Sequence, residues 1–150
     1  MLRGNRRLRD RDAITAYAPD VVNPRIDPAA LGRPLDDVLA VYRQALWLAD
    51  DDWPGRPPDA DDVARGVLMA LRWLDGTADL DLDPSIPCPP HTRTDVERQA
   101  RAAYRVLRWL GSRDTSATAS TFAVWDMLAF ALGSSHRSPI EKVLRPSRAA

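Results

Sequence analysis

The chain contains few of the residues on which cross-links, phosphate loops and metal sites depend. Of its 150 residues, one is a cysteine (Cys88), one a lysine (Lys142) and two are histidines (His91 and His136). A single cysteine excludes an intramolecular disulfide, and no Gly-x-x-x-x-Gly-Lys run contains the lysine, which excludes a P-loop. A structural zinc site uses about four ligands, and the Cys and His residues here could supply fewer.

Long apolar runs are also missing. No run approaches the roughly 20 apolar residues that a membrane-spanning helix needs. The N-terminal segment carries arginines with no apolar stretch behind them, unlike a secretory signal peptide. The sequence therefore predicts a cytoplasmic protein that does not associate with a membrane.

Charge is balanced over the whole chain but unevenly distributed along it. The net charge is zero overall, +3 over residues 1–33, −8 over residues 34–90 and +5 over residues 91–150. With 45% hydrophobic and 28% charged residues, the composition is that of a folded domain rather than a disordered chain. We therefore expect a folded protein whose surface has regions of opposite charge.

Apolar residues recur at helical spacing in five segments, and no pair of convincing strands is present. The predicted helices run over about 34–49, from Asp59 or Asp61 to Gly76, from Thr94 to Gly111, over about 120–132, and over a short stretch from Ser138. Residues 77–92, which contain four prolines, are predicted to form a polyproline-like crossover. These patterns predict an all-α fold, a compact bundle of four main helices plus a short C-terminal helix. They also predict one helical domain over residues 12–150, preceded by a flexible basic arm at residues 1–11.

Three local patterns make more specific predictions. The run from Thr94 to Glu97 fits a capping box, so Thr94 is the predicted N-cap of the third helix. The fourth helix is apolar nearly all round, which predicts a central position with Trp125 and Leu128 buried. The tetrapeptide Leu-Arg-Trp-Leu ends both the second and the third helix, at residues 71–74 and 107–110, which favours one shared packing arrangement.

Two groups of residues resemble parts of metal sites, and both are incomplete. The run Asp79, Asp81, Asp83 resembles the start of a calcium loop, but the later Gly and Glu of that loop are absent. Cys88 and His91 have the spacing of a zinc-ligand pair without a complete ligand set. We therefore expect no cofactor.

A loop after the fourth helix could in principle hold a nucleophile. Ser134, Ser135 and His136 follow that helix, and Asp126 lies within it. Nucleophilic catalysis needs an imidazole oriented by a carboxylate and an oxyanion site, which neighbours on one loop seldom provide. We therefore expect no enzymatic activity.

The third predicted helix carries a stripe of arginines. Steps of three, four and three residues place four side chains within about 80° of arc opposite the core face. Together with the arginines of the N-terminal arm and a neighbouring tryptophan, the stripe could contact nucleic-acid phosphates or an acidic protein surface. The set is Arg98, Arg101, Arg105, Arg108 and Trp109 on the helix, and Arg3, Arg6, Arg7, Arg9 and Arg11 in the arm.

Two further tryptophans are candidate partner-binding residues. Trp47 lies off the core stripe of the first helix, and Trp53 lies in an Asp-Trp-Pro-Gly turn. Exposed tryptophans mark protein interfaces more often than catalytic sites. Burial under the proline-rich loops is the alternative interpretation of both.

Two functional hypotheses follow from these patterns. The first is a small non-catalytic helical protein that works through protein–protein interaction or self-association, as an adaptor or assembly subunit. The second is a nucleic-acid-associated accessory protein that uses the basic arm and the arginine stripe. The zero net charge weighs against the second, because dedicated nucleic-acid-binding domains are usually basic.

Overall fold

The regular structure of the chain is helical wherever it is described. The computed structural model describes residues 25–49, 54–111 and 115–145. A 3-10 turn at Pro28–Ala30 precedes α1 (Leu35–Leu48), α2 (Ala60–Asp75), α3 (Arg93–Leu110), α4 (Thr115–Ala131) and the short α5 (Pro139–Leu144). The predicted all-α bundle of four main helices plus a short C-terminal helix is therefore confirmed.

Helices α2 and α4 form the centre of the bundle and run in the same direction. Near their first turns, Ser116 Oγ donates to the Asp62 carboxylate at 2.7 Å. On the other side of α4, α3 packs in the opposite direction, since Thr118 near the start of α4 donates to the carbonyl of Gly111 after the end of α3. Helix α1 packs on α2, and α5 packs mainly on α2 with further contacts to α1 and α4.

Arg33 joins the start of α1 to the end of α4. Its guanidinium lies 3.6 Å from the centroid of the Phe130 ring and donates to the backbone carbonyls of Phe130 and Ser135. The backbone closes the same junction, where the Gly32 N–H donates to the Ala131 carbonyl at 2.8 Å. The start of α1 and the end of α4 are therefore held together at this end of the bundle.

The two central helices approach each other closely at Gly66. A Cβ on this residue would overlap the Ser120 carbonyl oxygen and lie 2.7 Å from the Ala123 Cβ. Gly66 has no unusual backbone conformation, so the glycine is required by the neighbouring helix rather than by its own dihedral angles. Small residues on the two helices thus allow their backbones to pack together.

Glycines end α2 and α4 as predicted. Gly76 and Gly133 have φ angles of 81° and 83°, in the left-handed region where a residue with a Cβ is strained. After Gly76, the Thr77 N–H donates to the Arg72 carbonyl at 2.8 Å, which satisfies one of the last carbonyls of α2. The fifth helix also begins as predicted, with Ser138 Oγ accepting from the Glu141 N–H.

The predicted start of the third helix is wrong by two residues. The N-cap is Thr92, whose hydroxyl accepts from the Asp95 N–H at 3.2 Å, while the Asp95 carboxylate accepts from the Thr92 N–H at 3.3 Å. Two overlapping boxes occur in the sequence, and Thr94 belongs to the unused one. The Asp95 carboxylate also accepts from the His91 N–H at 3.1 Å, and Arg93 Nε donates to the Leu31 carbonyl at 2.9 Å, so both contacts hold this first turn of α3.

The fourth predicted helix begins earlier and is less completely buried than expected. It starts at Thr115 rather than near Ser120, because its polar first turn packs on α2 through Ser116. Leu128 is fully buried as predicted, but Trp125 is half-buried. A helix with apolar residues on every side can therefore still leave some of them partly exposed.

Residues 77–92 form neither helix nor strand, as predicted for the crossover. Leu80, Ile86 and Pro90 are buried, so the segment is anchored at three points along its length. It leads from the end of α2 to the start of α3 and remains next to the first half of α3.

Replacing Gly66 with alanine tests the contact between the central helices. In an open helix this change would stabilise the protein by about 1 kcal/mol, because alanine has the higher helix propensity. Here the added methyl group meets the backbone of α4, and we expect a loss of about 1–3 kcal/mol. Urea unfolding followed by circular dichroism measures the change in the free energy of unfolding. A variant more stable than wild type would contradict the close approach of the two helices.

The capping assignment is tested by a matched pair of threonines. Thr92→Ala removes the acceptor for the Asp95 N–H and should lower the free energy of unfolding by about 1 kcal/mol. Thr94→Ala, two residues later on an exposed position, should change it by less than about 0.5 kcal/mol. Equal losses from the two changes would mean that the helix begins elsewhere.

Candidate functional site

The outer face of α3 carries the four arginines of the predicted stripe, and all four are exposed. Arg98 is directed towards the crossover, where its guanidinium donates to Ser85 Oγ at 2.9 Å and lies 3.7 Å from the Asp83 carboxylate. Arg101 lies 4.0 Å from the Glu97 carboxylate on its own helix. One end of the stripe therefore holds the chain's own crossover in place.

The carboxylate that faces Arg98 is part of the same local network. The Ser85 hydroxyl and backbone N–H donate to Asp83 at 2.6 and 3.0 Å. These hydrogen bonds lower the pKa of the Asp83 carboxyl, and the charges of Arg98 and Arg105 lower it further. Arg105 therefore lies within electrostatic reach of the crossover, whereas Arg108 makes no ion pair with the residues that the structure describes.

An aromatic cluster lies beside the stripe, in the groove between α3 and α4. The Trp125 ring centroid is 5.7 Å from that of Tyr104 and 5.5 Å from that of Phe122, the second pair meeting edge to face. Tyr104 and Phe122 are 44% and 47% exposed. Sequence reasoning missed this cluster, because it predicted Trp125 to be buried within an all-apolar helix and did not single out Tyr104.

Trp109 lies on the opposite flank of the arginines. At about 100° per residue it is roughly 140° around α3 from Tyr104, and its side chain is 69% exposed. Trp73, at the same place in the other Leu-Arg-Trp-Leu tetrapeptide, is fully buried. The prediction of one shared packing arrangement is therefore wrong, since one tryptophan belongs to the core and the other to the surface.

The remaining candidates lie apart from this face or outside the described part of the chain. Trp47 is half-buried on α1, which packs on the other side of α2. Trp53 and the arm arginines Arg3, Arg6, Arg7, Arg9 and Arg11 lie outside the described residues. Their candidate roles stay predictions.

The loop after α4 holds a lysine-centred network instead of a serine–histidine pair. Lys142 Nζ donates to the two carboxylate oxygens of Asp126 at 2.8 and 3.0 Å and to Ser135 Oγ at 3.3 Å, while that hydroxyl donates to the Arg137 carbonyl at 3.0 Å. His136 is exposed. Lys142 of α5 and Asp126 of α4 are therefore paired with each other, and this network joins α5 to α4.

The residues with metal-ligand spacing do not assemble into a ligand set. Cys88 Sγ lies 3.5 Å from the Ala78 carbonyl oxygen, and His91 Nδ1 lies 3.7 Å from the Asp27 carboxylate. Across residues 25–49, 54–111 and 115–145, no three His, Cys, Asp or Glu side chains come together as ligands. The Asp79 carboxylate accepts from the Asp81 N–H and so supports the turn of the crossover.

Comparisons with known proteins add no assignment. No family model, curated protein or solved structure matches the chain. None of the described helices has the length and apolar character needed to cross a membrane.

The environment of Cys88 predicts its reactivity. Burial raises the pKa of the Cys88 thiol, and the carboxylates of Asp79 and Asp75 raise it further. Because the thiolate is the reactive form, the pH midpoint of alkylation of the native protein should lie above that of the urea-unfolded chain. Iodoacetamide rates measured across the alkaline range check this, and a native midpoint at or below the unfolded one would contradict it.

Proposed function

We propose that this chain is a non-catalytic helical interaction protein, an adaptor or assembly subunit, that binds a protein partner in the cytoplasm. The binding site is the α3–α4 surface, which comprises the Tyr104, Phe122 and Trp125 cluster, the arginines Arg101, Arg105 and Arg108, and Trp109. The exposure of Tyr104 and Phe122 next to these arginines is the observation that carries the proposal.

The residue types of this surface are those that dominate protein interfaces. Tryptophan, tyrosine and arginine are enriched among interface residues whose removal costs most binding energy. Their aromatic rings bury a large area with few rotatable bonds, and a guanidinium binds carboxylates through paired hydrogen bonds. A partner with apolar side chains flanked by carboxylates would complement the cluster and the stripe together.

Nucleic-acid binding is the second candidate, because the same surface offers arginines for phosphates and aromatic rings for stacking bases. Two observations favour a protein partner. The chain has zero net charge, and Arg98, one of the four stripe arginines, is engaged with Ser85 and Asp83 of the crossover. We expect no cofactor at this surface.

A photo-crosslinking amino acid at position 122 distinguishes the two candidates. Phe122 would be replaced by p-benzoylphenylalanine and the protein irradiated in the cells that naturally express it. We expect an adduct that protease destroys and nuclease leaves intact. Adding Tyr104→Ser to the same chain should reduce its yield about fivefold or more, since a tyrosine lost from the centre of an interface typically costs 1 kcal/mol or more.

Leu144 provides the matched control. It is exposed to a similar extent, but it lies on α5 beside Gln44 of α1, away from α3. The same photo-crosslinker at position 144 should give no adduct that depends on Tyr104. An adduct at position 122 that nuclease destroys would establish the nucleic-acid candidate instead, and no adduct of either kind would overturn both.

A further inference from the structure

Charge changes sign along the outer side of α3. Arg98 in its first half contacts the crossover at Ser85 and Asp83. In the same crossover Asp79 and Asp81 are exposed and Asp83 is half-buried. The second half of the helix presents the exposed side chains of Arg105 and Arg108. In the first half, Arg98 and Arg101 are paired with Asp83 and Glu97. The exposed Asp79 and Asp81 of the crossover therefore form an acidic region, and Arg105 and Arg108 form a basic region further along the helix.

The acidic region is fixed in position. Arg98 holds the crossover through Ser85 and Asp83, and the buried side chains of Leu80 and Ile86 anchor it from below. Because the segment is tied down at these points, its carboxylates form a defined surface, as a binding interface requires.

An exposed aromatic side chain continues the line of the crossover. Trp109 follows Arg98 by three helical turns, which places it about 16 Å further along the axis and about 20° around it. It is therefore on the same side of α3 as the crossover, beside the basic region. The crossover itself presents two exposed prolines, Pro84 and Pro87.

We propose that two copies of this chain pair through their α3 helices, which run antiparallel about a twofold axis. Arg105, Arg108 and Trp109 of each copy then lie against the crossover of the other copy, opposite Asp79 and Asp81. The proposal rests on the proposed function, because it names the partner of this part of the α3–α4 surface.

Charge complementarity favours a second copy as the occupant. Antiparallel pairing places each basic region on an acidic one, and the twofold axis makes every such contact twice. The chain has zero net charge and a sequence pI of about 6.7, so no net repulsion opposes the pairing near neutral pH. The exposed prolines of the crossover offer apolar surface to Trp109.

The pairing leaves the aromatic cluster accessible. Tyr104 lies roughly 140° around α3 from Trp109, on the flank that faces α4. A dimer would therefore present two copies of the Tyr104, Phe122 and Trp125 cluster to a different protein.

A charge-swap experiment tests the dimer. Sedimentation velocity of the full chain at low salt should show a dimer that dissociates as salt screens the ion pairs. Arg105→Glu with Arg108→Glu, and separately Asp79→Lys with Asp81→Lys, should each weaken dimerisation about tenfold or more, since each change affects two symmetric contacts. An equimolar mixture of the two variants should form a 1:1 heterodimer.

Two further variants control for folding and for general charge effects. Asp81 has a φ of 56°, in the left-handed region, so a lysine there strains the turn. Asp79→Asn with Asp81→Asn keeps the shape of both side chains and should also weaken the dimer. Arg43→Glu with Arg72→Glu changes two exposed arginines on α1 and α2 and should leave it intact.

Each remaining outcome overturns the proposal. The proposal is wrong if the wild-type chain is monomeric at low salt. It is also wrong if the Asn variants dimerise like wild type, or if the two charge-swapped variants are well folded but do not pair with each other. A labelled single-stranded oligonucleotide that binds wild type and not the Arg105→Glu, Arg108→Glu variant would assign the basic region to nucleic acid. A monomer that still gives a protein adduct from position 122 would remove the dimer while leaving the proposed function standing.

Discussion

The contact between α2 and α4 at Gly66 fixes which side of α4 faces outward. Ser120 and Ala123 are the residues of α4 that fit against this glycine. Phe122 and Trp125 each follow one of these small residues by two positions, about 200° around the helix, so they face away from α2. The aromatic cluster on the surface is therefore the outer side of the same helix whose inner side permits the close approach.

The sequence predicts those parts of the fold that depend on local pattern. Apolar spacing locates the helices, and Gly76 and Gly133 mark two of their ends. A left-handed cap favours glycine, so such an end can be recognised from the sequence. The first turn of α3 is also held by Arg93, which donates to the Leu31 carbonyl 62 positions away. Such a contact leaves no trace in the neighbouring residues, so two overlapping capping boxes cannot be ranked without the fold.

The candidate site was predictable to a similar, partial degree. Helical spacing shows that the arginines share one face, but it does not show that Arg98 is engaged by the crossover. Periodicity also treats the aromatic residues of an all-apolar helix alike, although Leu128 is in the core and Phe122 is at the surface. Phe122 lies on the side of α4 that faces away from α2, and which side meets α2 is a property of the assembled bundle. Trp73 and Trp109 make the same point within identical tetrapeptides.

The parallel orientation of the two central helices has a consequence for how the chain folds. Parallel neighbours cannot be joined by a tight turn, and here the crossover and the whole of α3 lie between them. Asp62 and Ser116, which meet near the helix starts, are 54 positions apart. The largest interface of the core is thus a contact of high sequence separation, which is expected to form late. During synthesis, the face of α2 that packs on α4 therefore stays uncovered until α4 has left the ribosome.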